Sequence, residues 1–330
     1  MSMNYRTLGA TGLSVSEIGF GGWAIGGPVD VQGVPLGWGR TSDEDSLASL
    51  RRARELGINF FDTADSYGHG RSESLMGIVL SRHRPDVVIA TKVGNVRTSS
   101  GAMIKDFSKH HIFHAIDGSL KRLRTDYVDL YQIHNPTLQE LRRDEIQEAM
   151  EMLQSIGKIR FWGVSISTPE EGVEIVNRGW GYTLQVLYNI LNQAPEKKLF
   201  PLAIEKRYGI IARVPLASGL LTGKYRLDAT FPADDIRQNY LTPRRLSEVM
   251  PKIAEVNGIV GKEADTLAEA SLRFCLAHEA VSTVIPGARN AHQTELNAAA
   301  SGGTLSQEVV ARLREKLGDY NFYERHSIRV

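Results

Sequence analysis

Eight short apolar runs recur along this chain, each separated from the next by a longer polar or amphipathic stretch. This alternation constrains the fold more than any other feature. The runs are "IGFGGW" (18–23), "NFFDTAD" (59–65), "VVIATKV" (87–93), "YVDLYQIH" (127–134), "RFWGVSI" (160–166), "TLQVLYN" (183–189), "GIIARVPL" (209–216) and "STVIPGA" (282–288). Continuous apolar runs of this length read as strands buried on both faces, the mark of a parallel sheet. The intervening "SDEDSLASLRRARELG" (42–57) reads as a helix capped by Ser42, with acids in its first turn and Gly57 at its end. Leu47, Leu50, Ala53 and Leu56 form its apolar stripe. Similar helices are expected over 137–157 and 265–278. Eight strands alternating with helices predict an α/β chain folded as a (β/α)8 TIM barrel. An open doubly wound sheet is the alternative. Ahead of the first run, "YRTLGATGLSVSEIG" reads as a β-hairpin around a Gly-containing turn.

A barrel of this kind accommodates the whole length, 1–330, as one domain, because α/β barrels exceed about 250 residues without subdivision. The longest stretch without periodicity, 217–245, is expected to be either a functional cover or a disordered loop. A hydrophobic content of 42% with 23% charged residues is globular, and a net charge of +1 gives no field that would favour nucleic acid or an anionic membrane. No apolar stretch approaches the ~20 residues of a membrane span, and the N-terminal residues lack a signal-peptide pattern. The single cysteine, Cys275, sits in an apolar helical context, so no disulfide forms within the chain and the thiol reads as core. Together these features lead us to expect a cytoplasmic protein without membrane insertion.

In a barrel, the C-terminal ends of the strands carry the chemistry. Those ends present Asp62, with Tyr67 beyond it, then Lys92, His134 with Asn135, Ser165, Gln185, Asn189 and Arg213. Each has a bland reading alone: a helix cap, a solvated lysine, a structural histidine. An acid, a phenol, an amine and an imidazole arriving on three consecutive strands at one rim suggest proton transfer. A phenol has a pKa near ~10, high for acid–base work at neutral pH. A nearby ammonium stabilises its phenolate form. Lys92 could supply that charge, with Asp62 as the anion that keeps the lysine protonated. His134 could donate to a carbonyl oxygen and orient it. Such a group protonates a developing alkoxide. A nucleophile must then come from elsewhere, which makes a bound hydride donor attractive.

The same stretches resemble the aldo-keto reductase superfamily over nearly the full length. "YRTLGATGLSVSEIGFGGWAIGG", "GINFFDTADSYGHGRSESLMG", "VVIATKVG", "SLKRLRTDYVDLYQIHNP", "GKIRFWGVSIS", "LQVLYN", "PLASGLLTGKY" and "IPGARNAHQTELN" carry the resemblance in order. It looks closest to the bacterial members related to potassium-channel β subunits. The resemblance implies a (β/α)8 barrel whose N-terminal hairpin closes the base, and reversible NADPH-dependent reduction of aldehydes or ketones without metal. It makes Tyr67 the general acid, Lys92 and Asp62 its tuning pair, and His134 the orienting donor, with Trp23, Tyr67 and His134 facing a small carbonyl or alcohol substrate. On the cofactor side it implies Gly22, Trp23, Asp62, Ser165, Gln185 and Arg213 around the nicotinamide. Pro215, Leu216, Ser218, Gly219, Leu220 and Lys224 fall along the pyrophosphate segment. Gly287, Arg289, Gln293 and Asn297 fall on the adenosine 2'-phosphate positions, the last set at a helix N-terminus suited to phosphate. Arg289 can grip a phosphate with two parallel hydrogen bonds, which implies NADP rather than NAD.

Three departures stand out. Ile166 follows Ser165 where relatives often carry Asn. Arg213 stands where many place an aromatic to stack on the nicotinamide; it could stack, hold an anionic substrate, or form a rim salt bridge. The loop "GGPVDVQGVPLGWGR" is long and Gly-rich, and Trp23 and Trp38 flank the substrate entrance on this reading. Two further functions remain open: a nucleotide-sensing subunit of a partner protein with slow reductase activity, and a barrel isomerase or lyase using Tyr67 and Lys92. Oligomer formation is possible, and the loops 24–41, 94–107 and 217–245 and the tail from Asp319 are expected to set substrate choice.

Overall fold

The computed structural model describes residues 2–325; the last five residues of the tail named above lie outside them. The eight apolar runs form one eight-stranded, wholly parallel sheet with its strands in chain order. We number these strands β1 (Phe20–Gly21), β2 (Phe60–Asp62), β3 (Val88–Val93), β4 (Val128–His134), β5 (Ile159–Ser165), β6 (Thr183–Leu187), β7 (Gly209–Arg213) and β8 (Val281–Val284). The sheet closes on itself. Ile18 bridges Val284 and Gly21 bridges Gly287, both in parallel, and the Gly19 amide donates to Val284 O at 2.8 Å.

An antiparallel hairpin, Tyr5–Thr7 with Ser14–Ser16, caps the N-terminal end. Its turn is tied to the start of β7, where the Ala10 amide donates to Arg207 O at 2.8 Å. Leu8, Leu13 and Val15 from this hairpin pack with Phe60, Val88, Ala90, Leu130, Ile211 and Ile285 in an apolar lower layer inside the barrel. Leu8 is fully buried there. Truncation to alanine at such a position costs about 2–5 kcal/mol.

Side chains alternate along a strand, so the residues two places further on share the inward face. These are Asp62, Lys92, Gln132 and Arg213, and they are polar. The barrel therefore has an apolar floor and a polar upper layer, and the chemistry-bearing rim follows from the period of two.

The helix expected over 42–57 forms as α1 (Asp43–Glu55), with Ser42 Oγ accepting from the Asp45 amide at 3.0 Å. Leu50 and Ala53 are fully buried on its inner face. The helix expected over 265–278 forms over Leu267–Leu276, capped by Thr266.

Two expectations are corrected. The helix expected over 137–157 begins at Asp144 and runs to Ser155. Glu140 Oε2 accepts from both the amide (2.7 Å) and the hydroxyl (2.9 Å) of Thr137, which closes a local turn, and Arg143 is extended at φ −90°, ψ 103°. The first run does not make a six-residue strand: only Phe20–Gly21 forms a continuous strand, with Ile18 in an isolated bridge, and Trp23–Gly26 turns as one helical turn. Gly22 marks the bend. Its amide donates to Asp62 O at 2.7 Å, and a Cβ there would lie 2.6 Å from Ser72 Oγ and 2.8 Å from Asp62 O.

The loops 24–41 and 217–245 meet over the rim. Trp38 and Asp235 form an antiparallel bridge, the Ile236 amide donates to Gly37 O at 2.9 Å, and the Arg237 guanidinium lies 5.2 Å from the centre of the Trp38 ring. Cys275 is buried, and burial pushes its thiol well above the ordinary range. Among the described residues, no helix is long and apolar enough to cross a membrane.

Candidate active site

The end of β2 delivers Asp62 inward, and β3 delivers Lys92 beside it. The ammonium of Lys92, with no exposed surface, lies 2.6 Å from Asp62 Oδ2, 2.9 Å from Thr63 O and 3.0 Å from the Tyr67 hydroxyl. An ammonium has three donors and no acceptor, so these three oxygens satisfy it completely. The other carboxylate oxygen, Asp62 Oδ1, accepts from Gln185 Nε2 at 2.7 Å and Gln132 Nε2 at 3.1 Å. The acid is thus held on both oxygens, and its charge is offset by one buried cation.

Around the phenol stand two rings. Trp23 meets Tyr67 edge-on with centroids 4.9 Å apart, and His134 does so at 5.8 Å. His134, Ser165 and Gln185 lie in register across three adjacent strands. His134 Nδ1 is 2.9 Å from Asn95 Nδ2, and Ser165 Oγ donates to Asn135 Oδ1 at 2.8 Å.

Burial raises the Tyr67 phenol above its ordinary value; Lys92 opposes that effect and Asp62 adds to it. The net direction is therefore upward, although the expected pull of Lys92 is present. Burial pulls the Lys92 ammonium down, but Asp62 and Tyr67 outweigh it and its pKa is raised. His134 is driven well below the usual imidazole value, first by burial and then by Lys92, Lys105 and Arg213. At neutral pH the site therefore holds a protonated phenol, an ammonium and a neutral imidazole.

Arg213 is buried, and its Nη2 donates to Ile166 O at 3.0 Å. This hydrogen bond ties the guanidinium to the main chain one residue beyond Ser165 and selects none of stacking, anion binding or a rim salt bridge. Trp38, expected with Trp23 at the substrate entrance, sits at the closure of the barrel between β1 and β8. It packs on Gly287, and its carbonyl accepts from Arg289 Nη1 at 3.0 Å. The loop that carries it is drawn there by the Asp235 bridge.

The segment after β7 is strained. Val214, Ala217 and Ser218 all have φ near the left-handed region, at 55°, 47° and 58°, followed by Gly219 at 93°. Such non-glycine residues, a β-branched one above all, persist only where the surroundings over-determine them, and they cluster at ligand-binding segments. The backbone of Pro215, Leu216, Gly219 and Leu220 lies along this bend. Ser218 Oγ is turned inward: it accepts from Tyr240 OH at 3.0 Å and is 3.1 Å from Tyr323 OH. Its hydroxyl is thus engaged by two phenols.

The chain between Gly287 and Asn297 is also brought together. The Arg289 amide donates to Gln293 Oε1 at 3.0 Å, and Asn297 Nδ2 donates to Gly287 O at 3.4 Å. Asn290 caps the helix Ala291–Ala298. Lys224 is lowered by burial and then by Arg237 and Arg289. Three cations within mutual influence, with Asp235 held by Arg237 Nε at 2.9 Å, suit a multiply charged anion. These features fit the phosphate end of a dinucleotide.

Three residues of this constellation were not singled out from the sequence. Gln132 shares the inward face of β4 with Leu130 and His134, and that period of two was a usable signal. Asn95 and Arg237 reach the site only through the folding back of their loops.

A sequence model of the Aldo/keto reductase family matches residues 17–317. An uncharacterized oxidoreductase, YqkF, of Bacillus subtilis is 34% identical over 94% of this chain and 96% of its own. A probable voltage-gated potassium channel subunit beta of Oryza sativa is 32% identical over 94% of this chain and 95% of its own. A solved aldo-keto reductase from Klebsiella pneumoniae in complex with NADPH superposes with a TM-score of 0.73 at 26% identity, covering 96% of both chains.

Proposed function

This chain belongs to the aldo/keto reductase family, and from that premise we propose that it is an NADPH-dependent reductase of aldehydes or ketones in which Tyr67 is the general acid. The observation that carries the reading is the single ammonium of Lys92 bonded at once to Asp62 (2.6 Å) and to the Tyr67 hydroxyl (3.0 Å), with His134 beside the phenol. The NADPH bound by the Klebsiella pneumoniae protein supports the choice of cofactor. When bound, NADPH supplies the hydride.

The chain's own residues hold and move the proton. Tyr67 OH donates to the carbonyl oxygen as charge develops there, and His134 Nε2 donates to the same oxygen and orients it. As the proton leaves, Lys92 stabilises the phenolate through the contact it already makes, and Asp62 keeps Lys92 charged. Gln132 and Gln185 hold Asp62, so the lysine cannot drift from the phenol. Ser165, Gln185 and Arg213 line the nicotinamide side. Lys224, Arg237 and Arg289 would hold the phosphates, while the joined loops 24–41 and 217–245 exclude water from the cleft.

The test is a fluorescence titration with NADPH and NADH, followed by loss of NADPH absorbance over a panel of carbonyl compounds. Turnover by the wild type that is lost in Tyr67→Phe supports the reading. Turnover that survives this substitution undiminished removes Tyr67 from the role. Tight NADPH binding without appreciable turnover of any carbonyl would point to nucleotide sensing instead.

A further inference from the structure

We propose that Asn95 is a positioning residue that fixes His134 as the Nε2–H tautomer, and that it does so through one cross-strand pair of the hairpin after β3. The inference deepens the reductase reading and rests on it for its catalytic consequence, though not for the tautomer itself.

The hairpin pairs Asn95–Arg97 with Met103–Lys105, and Asn95 stands directly opposite Lys105. Both members of that pair reach His134. Asn95 Nδ2 is 2.9 Å from His134 Nδ1, and Lys105 Nζ donates to His134 O at 2.6 Å. One residue pair thus holds the ring and the main chain of the same histidine.

The root of the hairpin is fixed. Gly94 has φ 127° and would place a Cβ 1.9 Å from the ring of Phe107, a fully buried side chain. The Asp106 amide donates to Gly94 O at 2.9 Å. The strand entering the hairpin and the segment leaving it are therefore clamped one residue away from Asn95 and Lys105.

The Asn95 carboxamide presents its nitrogen to the ring, and because such a nitrogen only donates, Nδ1 accepts in this arrangement. A neutral imidazole carries a single N–H, which then lies on Nε2. That is the nitrogen needed to donate to a carbonyl oxygen. The groups facing His134 are Lys92 from β3, Lys105 from the hairpin, Arg213 from β7 and the Tyr67 phenol. Three of these are cations, and they disfavour a doubly protonated ring. Among the described residues, the contact from Asn95 is the one at Nδ1 that favours the productive tautomer.

The first test needs no substrate. Long-range proton–nitrogen correlation spectra of 15N-labelled wild-type protein, with His134 assigned by its loss in His134→Gln, should show a bare Nδ1 and a protonated Nε2. A protonated Nδ1 overturns the proposal. The second test is Asn95→Asp. A carboxylate accepts from Nδ1–H, so the neutral ring would leave Nε2 bare, and kcat at neutral pH should fall about 10²-fold or more, the scale for removing one donor to an oxyanion. KM for NADPH should stay unchanged. The introduced carboxylate offsets the surrounding cations and favours ring protonation, which restores Nε2–H, so activity of this variant should rise as the pH is lowered. Asn95→Ala should lose less activity and show no such recovery. A wild-type pH profile retained in Asn95→Asp overturns the proposal. If wild-type protein shows the Nε2–H tautomer but reduces no carbonyl, the tautomer assignment stands and the reductase reading falls. If it reduces carbonyls with a protonated Nδ1, the reverse holds.

Discussion

The Lys92 ammonium and the Asp62 carboxylate meet at 2.6 Å with neither side chain more than 2% exposed. A pair so deeply buried gains little net stability, because desolvation consumes much of the attraction, but removing one partner leaves an uncompensated charge. Lys92→Met should therefore destabilise the protein by about 3–5 kcal/mol, and the double variant Asp62→Asn with Lys92→Met should recover much of that loss. Denaturant melts of the three proteins check this. A single variant as stable as wild type would show that the site does not hold a charged pair.

Tyr67→Phe separates chemistry from structure. The lost hydroxyl makes one hydrogen bond, to a lysine that keeps two other acceptors. The bond is charge-assisted and its donor is buried, so stability should fall by about 1.5–3 kcal/mol. Carbonyl reduction should fall by about 10²–10⁴-fold, the contribution of a positioned general acid, while the dissociation constant for NADPH stays within a factor of about two. Single-turnover rates and fluorescence titrations measure the two quantities independently.

The Asp65 carboxyl lies two residues before Tyr67, and burial, followed by the charge of Glu73, pushes it up to about 8. The sign follows from linkage: a carboxyl raised on folding contributes stability below its unfolded value, and that contribution is lost as pH rises through about 8. Asp65→Asn carries no such penalty. Wild type should lose stability progressively from about pH 4 to about pH 8 and little beyond, and the variant should lose less over the same range. Thermal melts at a series of pH values test this, and parallel curves for the two proteins would remove Asp65 as the cause.

How far the chain could be read depended on the range of the interactions involved. Strands β2 to β8 were readable because burial on both faces writes itself into consecutive residues. The quartet Asp62, Tyr67, Lys92 and His134 was readable because each stands at or just beyond a strand end. Strand β1 shrank to two residues because Gly22 bends towards Asp62 O, a contact 40 positions away. The helix at 137 failed to start because Thr137 and Glu140 satisfied one another locally, which propensity alone does not reveal. Arg237 and Asn95 sit in stretches with no period at all. Their positions are set by Trp38 in one case and by Phe107 and Lys105 in the other, none of which carries a local signal.

Arg289 is the residue on which the choice between NADPH and NADH should turn. Its Nη1 is anchored on Trp38 O, which orients the guanidinium, and it stands close enough to Lys224 to help lower that ammonium. The mutual repulsion of Lys224, Arg237 and Arg289 is relieved by a phosphate dianion, which only NADPH brings to this end. A charge-assisted contact of this kind contributes about 1.5–3 kcal/mol, so Arg289→Glu should weaken NADPH binding by about 10–100-fold and leave NADH nearly unchanged. Arg237 is a poorer probe, because it also holds Asp235 and covers Trp38, and its removal would disturb the joined loops. The same reasoning makes wild-type NADPH affinity more sensitive to ionic strength than NADH affinity, since exposed charges are screened within about 10 Å at 0.1 M salt. Paired fluorescence titrations at two salt concentrations, on wild type and Arg289→Glu, measure both effects. An unchanged NADPH-to-NADH ratio in the variant would show that the phosphate is gripped elsewhere.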